Sequence, residues 1–467
     1  MTNITFYGAI EGVTGSAYLL STERSKVLLD CGLFQGGREV EKENLKALPF
    51  DPQELDAVVL SHAHLDHSGR LPLLHKQGFR GSIYMTWASF DLLDVLLKDA
   101  ASLQLRDAEW ENKRRRRARR EEIHPLYDVD DVEQTLALGF GVNYRQRTPV
   151  AEDIEIRFLD AGHILGSAIV EIFIREEKEE KKLVFSGDLG NSSAALLKDP
   201  EVVEQADILL LESTYGDRNH RPMAETLAEF EDIITEASTN GGNILIPSFA
   251  VGRTQEIIFR LGELYQQGKL RHQAVYLDSP MAIAVTEIYH RYQDAYNEED
   301  KRAMSQTYRK RSLHNFLPVL RYSVSTQESM ALNRIESGAI IIAGSGMCNG
   351  GRIRHHLKHN LWRKQSHVVI VGYQALGTPG RALVDGAKTF KMAGEEIAVA
   401  ARIHTLGGFS AHAGQSQLID WTNQFKAPRP RVCLVHGEQN PKQRLKQCLD
   451  STGWNSLIPE LGETITF

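Results

Sequence analysis

At 467 residues, with 42% hydrophobic and 25% charged residues, the chain has room for two or three domains with real cores. Its formal net charge of −7 argues against a general nucleic-acid coating protein, which rests on clustered Lys and Arg. Cys31, Cys348, Cys433 and Cys448 form no C-x-x-C pair, so neither a disulfide framework nor a thiolate zinc site is indicated and the cytoplasm is the expected compartment. The first twenty residues lack a basic leader and no run reaches about 18 apolar residues, so neither a signal peptide nor a membrane span is expected.

In chain order, a strand is predicted from about Ile4 and another over Lys26 to Leu29, closing on Asp30. Leu55 to Leu60 (LDAVVL) is apolar and β-branched and reads as a buried strand. It delivers Ser61-His-Ala-His-Leu-Asp-His67 into a loop at its carboxyl end. There His62, His64, Asp66 and His67 put four metal-ligating side chains into six positions. Imidazole and carboxylate suit zinc or a similar first-row ion, and a catalytic ion needs three protein ligands plus an open position. Four candidates exceed one ion's share. A pair of ions about 3.5–4 Å apart would use them, with His62 and His64 on one and Asp66 and His67 on the other. The bland alternative, a turn of hydrogen-bonded histidines, fits this spacing poorly.

A long helix is predicted from Phe90 through Trp110, followed by the basic run Lys113 to Arg120. Asp107, Glu109, Glu111, Glu121 and Glu122 bracket that run. A solvated, partly self-neutralised face explains it as well as an RNA contact does, so no site role is assigned to it. The charged run Glu176 to Lys182 reads as a hairpin tip between strands Ile169 to Ile174 and Leu183 to Phe185. Beyond Glu212 the pattern changes. Strands at Asn243 to Pro247, Ala274 to Leu277, Ala339 to Ala343 and Val368 to Val371 alternate with helices at Gly252 to Gln267 and Met281 to Tyr296. That alternation predicts a doubly wound parallel sheet. Within it, Gly344 to Gly351 is a glycine-rich loop ahead of helical Arg352 to Leu357. Ser345, Gly346 and Asn349 there could hold a phosphate, or the loop could be a permissive turn. Arg253, opening its helix, is a candidate phosphate contact, with a salt bridge as its alternative role. Gly377 to Arg381 is taken as the crossing back, which gives segments 1–208, 209–382 and 383–467, and a ligand cleft is expected between the domains.

H-x-H-x-D-H is the signature of the metallo-β-lactamase-fold hydrolases, and the chain resembles them further. Gly162 to Ser167 (GHILGS) is similar to their third motif, which makes His163 a ligand of the first ion. Ser186 to Gly190 (SGDLG) makes Asp188 the carboxylate bridging both ions, and Asp30 matches the first motif, acting from behind the ligands. Three more motifs resemble the β-CASP nuclease branch: Leu211 to Gly216 (LESTYG) with Glu212, Gly408 to Ala413 (GFSAHA) with His412, and Leu434 to Glu438 (LVHGE) with His436. His436 would complete the second ion, Ser410 would touch substrate, and a His at this last motif accompanies RNA-processing members. The likeness covers essentially the whole chain, and the nearest branch is the endonuclease subunit of the pre-mRNA cleavage machinery with its stand-alone prokaryotic relatives.

The resemblance implies a metallo-β-lactamase αββα sandwich with an inserted doubly wound α/β β-CASP domain, two Zn2+ (Mn2+ would suit the same donors), and hydrolysis of single-stranded RNA. Two cations can activate a water for in-line attack and offset the charge that develops on phosphorus. The leaving ribose oxygen needs a proton, for which His412 has a suitable unperturbed pKa, and Glu212 would orient it. The products implied are a 5′-phosphate and a 3′-hydroxyl. A short amino terminus without KH modules, and only 31 residues after His436, favour an endonuclease over a 5′-to-3′ exoribonuclease. A same-fold hydrolase of small esters or thioesters and a noncatalytic RNA scaffold are the rivals. The oligomeric state is left open, a homodimer included.

Overall fold

The computed structural model describes residues 2–177, 179–192, 194–307, 312–375, 377–392 and 394–467. The chain forms two compact units. One comprises Met1–Ser192, Asp199–Asn219 and His412–Phe467, and the other Ser193–Lys198 with His220–Ala411.

Short strands build the first unit as two seven-stranded sheets; Asn3–Phe6 alternates buried and half-buried residues, whereas Ala57–Val59, Ala168–Arg175 and Ile208–Glu212 are buried almost throughout. One runs in the order Thr464–Thr466, Asn3–Phe6, Tyr18–Ser21, Lys26–Leu29, Ala57–Val59, Ser82–Thr86 and Gly139–Val142. The other runs Ser456–Leu457, Arg431–Val435, Ile208–Glu212, Glu180–Phe185, Ala168–Arg175, Ile154–Asp160 and Arg147–Pro149. Ile4, Phe6, Tyr18, Leu20, Val27 and Val59 of the first sheet meet Ile156, Phe158, Val170, Ile172, Phe185 and Leu210 of the second in one buried core. The second sheet is covered on its other face too. There Val184 packs with Leu209, Leu211 and Leu434 under Leu418 and Trp421 of helix Gln415–Thr422 and Leu445 and Leu449 of helix Gln439–Ser451.

Helix Trp87–Arg117 lies along the edge of the first sheet and is longer at both ends than the expected span of 90 to 110. Thr86 caps it, its hydroxyl accepting from Ser89 N at 3.2 Å, and the basic run continues the helix because arginine is a good helix former whose charge suits the carboxyl end. The strand Glu180–Phe185 takes in the last residues of the charged run, so the hairpin connection is shorter than expected; Lys178 lies outside the described residues.

The second unit carries a six-stranded, all-parallel sheet in the order Leu320–Tyr322, Ala274–Leu277, Ala339–Ala343, Ile244–Pro247, His367–Ile370 and Arg402–Thr405. Ile340, Ile341 and Ile342 are all fully buried, as a strand covered on both faces requires. The chain returns to the first unit at His412, later than the expected residue 383. The physical reason is that Arg402–Thr405 hydrogen-bonds in parallel to His367–Ile370 and belongs to the six-stranded sheet of the second unit. The expected crossing at Gly377 to Arg381 instead starts a helix, Pro379–Val384, capped by Thr378.

Candidate metal centre

The candidate ligands and their supporting carboxylates lie at or just beyond the carboxyl ends of strands of the first unit. Asp30 follows Lys26–Leu29, His62 follows Ala57–Val59, and His163 follows Ile154–Asp160. Asp188 follows Glu180–Phe185, Glu212 ends Ile208–Glu212, and His436 follows Arg431–Val435. Neighbouring strands set these ends side by side, so residues far apart in sequence meet. The backbone is tightly fitted there: a Cβ on Gly32 would stand 1.6 Å from the Asp66 carbonyl oxygen. Asp30 and His436 both adopt positive φ, at 58° and 48°, a conformation that Asp and His tolerate better than most residues.

The donor atoms fall into two groups that share Asp188. In the first, His64 Nδ1 stands 3.2 Å from both His62 Nε2 and His163 Nε2, and Asp188 Oδ2 lies 3.5 and 3.6 Å from those two nitrogens. In the second, His67 Nε2 and His436 Nε2 are 3.1 Å apart, with Asp66 Oδ2 at 3.8 and 3.6 Å from them. Asp188 Oδ2 is also 3.4 Å from His67 Nε2. Ligands at about 2.0–2.1 Å around a tetrahedral ion stand roughly 3.3–3.4 Å apart, and the separations in the two groups, from 3.1 to 3.8 Å, lie around that value.

Hydrogen bonds behind the ligands orient the rings. Asp30, fully buried, accepts from Ser16 Oγ, Ser61 Oγ and Ser61 N, and its Oδ2 lies 2.7 Å from His67 Nδ1. His62 Nδ1 is 3.1 Å from Ser61 Oγ, whose own proton goes to Asp30, and His436 Nδ1 is 3.2 Å from Thr214 Oγ1. With their outer nitrogens so engaged, the inner nitrogens point lone pairs at one another. Facing lone pairs in a buried site repel unless a positive charge lies between them. A proton would relieve one pair of nitrogens; a cation relieves a whole group.

The electrostatics agree. Burial works against ionising Asp188, yet the imidazoles of His436, His67 and His62 hold its carboxyl well below the usual range. Burial is likewise outweighed at Asp66, which His67 and His436 lower to about 2. Burial drives His62 down, keeping it neutral, whereas at His67 the carboxylates of Asp188, Asp30 and Asp66 overcome burial and raise it. Asp188 Oδ1, also buried, has no hydrogen-bond partner among the described residues. The donor set therefore fits metal ions.

Beside these groups, His412 Nδ1 lies 3.4 Å from Glu212 Oε1 and 3.9 Å from Asp188 Oδ2. Ala413 N donates to Leu189 O and Leu189 N donates to Glu212 Oε1, at 2.8 and 2.7 Å, so both side chains hang from one frame. Burial, the largest single influence, works to lower the His412 pKa, but Glu212, with Asp188 and Asp66 behind it, outweighs burial and raises it to about 9.

The remaining candidates belong to the second unit. Arg253 is buried in an ion pair with Glu256, and its guanidinium stands 5.9 Å from the Phe409 ring centroid. In the glycine-rich loop, Ser345 Oγ donates to Asn349 Oδ1 at 2.6 Å and accepts from Gly350 N at 3.2 Å. A Cβ on Gly346 would meet the Phe249 ring at 2.8 Å, and Arg352 anchors the loop's far end to Asp278. Ser410 is half-buried, two residues before His412. Sequence reasoning missed Thr214, Ser16 and Ser61; Thr214 and Ser61 could have been found as hydroxyls inside or beside the quoted motifs. Thr214→Val is expected to lower affinity for the second cation by about 10- to 100-fold, read as faster metal loss on dialysis against a chelator, with the first cation retained.

An αββα sandwich with histidine and carboxylate donors converging at its strand ends defines a metallohydrolase. Comparison with known proteins narrows the class. A model of the metallo-beta-lactamase superfamily matches residues 10–232, one of the Beta-Casp domain residues 254–383, and one of the Zn-dependent metallo-hydrolase RNA specificity domain residues 396–459. Ribonuclease TTHA0252 of Thermus thermophilus is 40% identical over 98% of both chains. The RNase J-like protein of Methanocaldococcus jannaschii is 30% identical over 94% of this chain and 93% of its own. Transcription termination factor FttA of the same archaeon is 30% identical over 96% of this chain and 68% of its own. A solved protein of unknown function from Enterococcus faecalis shares the fold, with a TM-score of 0.58 at 14% identity over 99% of each chain. The chain belongs to the β-CASP family of metallo-β-lactamase-fold hydrolases.

Proposed function

We propose that the protein is a metal-dependent ribonuclease that cleaves internal phosphodiester bonds of single-stranded RNA in the cytoplasm. The observation that carries this reading is the pair of donor groups joined through Asp188, in a chain 40% identical to a ribonuclease. His62, His64, His163 and Asp188 would hold one Zn2+, and Asp66, His67, His436 and Asp188 the other. Bound there, the two cations would lower the pKa of a water and offset negative charge on phosphorus.

The protein's own groups do the rest. Asp188 fixes the spacing of the two groups, and Asp30 and Thr214 fix the ring orientations that turn the inner nitrogens toward one another. His412, held protonated by Glu212, donates to the 3′ oxygen as its bond to phosphorus breaks. Water contributes hydroxyl to phosphorus, leaving a 5′-phosphate and a 3′-hydroxyl. Arg253, Ser345, Gly346, Asn349 and Ser410 are the proposed contacts to the RNA backbone. The endonucleolytic mode follows the resemblance to the cleavage-machinery subunit.

A denaturing-gel time course on internally labelled single-stranded RNA and its DNA counterpart, after zinc loading, tests this. Internal RNA fragments with intact DNA are expected. Mononucleotides from the 5′ end would replace the mode, and turnover of thioesters without RNA cleavage would replace the function.

A further inference from the structure

The basic run at the end of helix Trp87–Arg117 is only partly self-neutralised. It places seven cations in the eight positions 113–120 of a chain whose net charge is −7. Three are engaged: Arg114 with Glu111 at 3.4 Å, Arg116 with Glu122 at 2.9 Å, and Arg115 Nε with the Glu121 carbonyl at 2.8 Å. Lys113, Arg117, Arg119 and Arg120 are exposed and make no side-chain ion pair or hydrogen bond among the described residues. Offsetting the negative end of the helix dipole calls for a charge or two in the last turn, not seven.

The arrangement has a second component. Trp110, Lys113, Arg114 and Arg117 stand three or four residues apart and share one stripe of the helix. Trp110 is 62% exposed, and the Arg114 guanidinium stands 5.0 Å from the centroid of its ring. An exposed aromatic face beside unpaired cations is what a single-stranded nucleic acid uses, since bases stack and phosphates pair. An acidic protein surface would supply charge but has no use for an exposed indole.

Position along the helix says which part of the RNA reaches it. At the helix start, Thr86 Oγ1 and Ser89 Oγ both donate to Gly166 O, at 2.7 and 2.9 Å, in the loop that carries His163. At 1.5 Å per residue, Lys113 and Arg117 lie about 40 Å further along the axis. A short oligonucleotide at the metal centre cannot span that, whereas a long strand can.

We propose that Trp110, Lys113, Arg117, Arg119 and Arg120 form a remote RNA-binding surface that holds the phosphate backbone of a long single strand, about 40 Å along the helix from its contact with the loop that carries His163. The proposal rests on the ribonuclease reading for its occupant. The surface acts on capture of substrate and not on bond cleavage, so it affects KM for long RNA and leaves kcat alone.

The test is fluorescence anisotropy of a long labelled RNA across a KCl series, with cleavage kinetics on long and short RNA, comparing the full chain with K113Q/R117Q/R119Q/R120Q. Glutamine keeps helix propensity, and circular dichroism checks that the fold is kept. A control, R334Q/K364Q/K388Q/K391Q, removes the same formal charge from exposed positions of the second unit. With about 0.7 of a unit of slope per phosphate on single strands, the expected result is a loss of about 3 in the slope of log K against log salt. KM should rise at least about tenfold on long RNA, with kcat and all short-RNA parameters unchanged. W110A should weaken binding without changing the slope. A slope equal to that of the wild type, or an equal loss in the control, overturns the surface and leaves the ribonuclease standing. Salt-dependent RNA binding that the variant loses, in a protein that cleaves no RNA, upholds the surface and overturns the ribonuclease. No RNA binding by the wild type, including a wild type that sediments only with phosphatidylserine vesicles, overturns the proposal.

Discussion

Asp188→Ala is expected to release both cations and to lower RNA cleavage by at least about 10³-fold, roughly 4 kcal/mol of transition-state stabilisation. The size of the effect follows from one carboxylate serving two groups. Its Oδ2 stands 3.4–3.6 Å from His62, His67 and His163. Removing it deprives each group of a donor and removes the anion that most directly offsets two dications. Asp30→Asn should be milder, because it disturbs only the hydrogen bond to His67 Nδ1 and the serines behind it; about 10- to 100-fold in metal affinity is the scale for such a partner. Metal analysis after gel filtration, alongside the cleavage rate, measures both. If Asp188→Ala keeps two ions per chain, the shared-ligand assignment is wrong.

The clustering of the candidate donors was legible because the sequence concentrates them. Four of them sit in one heptapeptide, and the others stand in short motifs after apolar runs that read as strands. Strand ends are also where the structure puts them. What hides is the meeting of Glu212 with His412, two hundred residues apart, which spacing cannot supply and only the motif resemblance suggested. The return point of the chain was misread for a different reason. Arg402–Thr405 (RIHT) is a half-exposed edge strand with little apolar signal, and what makes it part of the six-stranded sheet is backbone pairing with His367–Ile370. Pro379, read as a break, stands at the first turn of a helix, where the missing N–H costs nothing. The long helix was expected to end at Trp110, where the apolar pattern stops; the helix propensity of arginine carries it on to Arg117.

His412→Ala is expected to lower kcat by about 10²- to 10⁴-fold, the usual range for loss of a general acid, without loss of metal. The pH dependence separates this role from a structural one. Glu212 raises the His412 pKa to about 9 against the effect of burial, so the folded value lies above the ordinary one. An acid must be protonated, so activity is present below that pKa and falls as pH rises through it. Dications bound beside it would repel the imidazolium and place the alkaline limb at or below about pH 9. Glu212→Gln removes the principal raising influence and should shift the limb to lower pH by at least about one pH unit, with a smaller loss of rate at acidic pH than at neutral. Replacing the 3′-bridging oxygen of the RNA by sulfur gives a leaving group that departs without a proton. On that substrate His412→Ala should approach the wild-type rate, whereas Asp188→Ala should remain inactive. An unchanged deficit of His412→Ala on the sulfur substrate would mean that His412 holds the site together and does not deliver the proton.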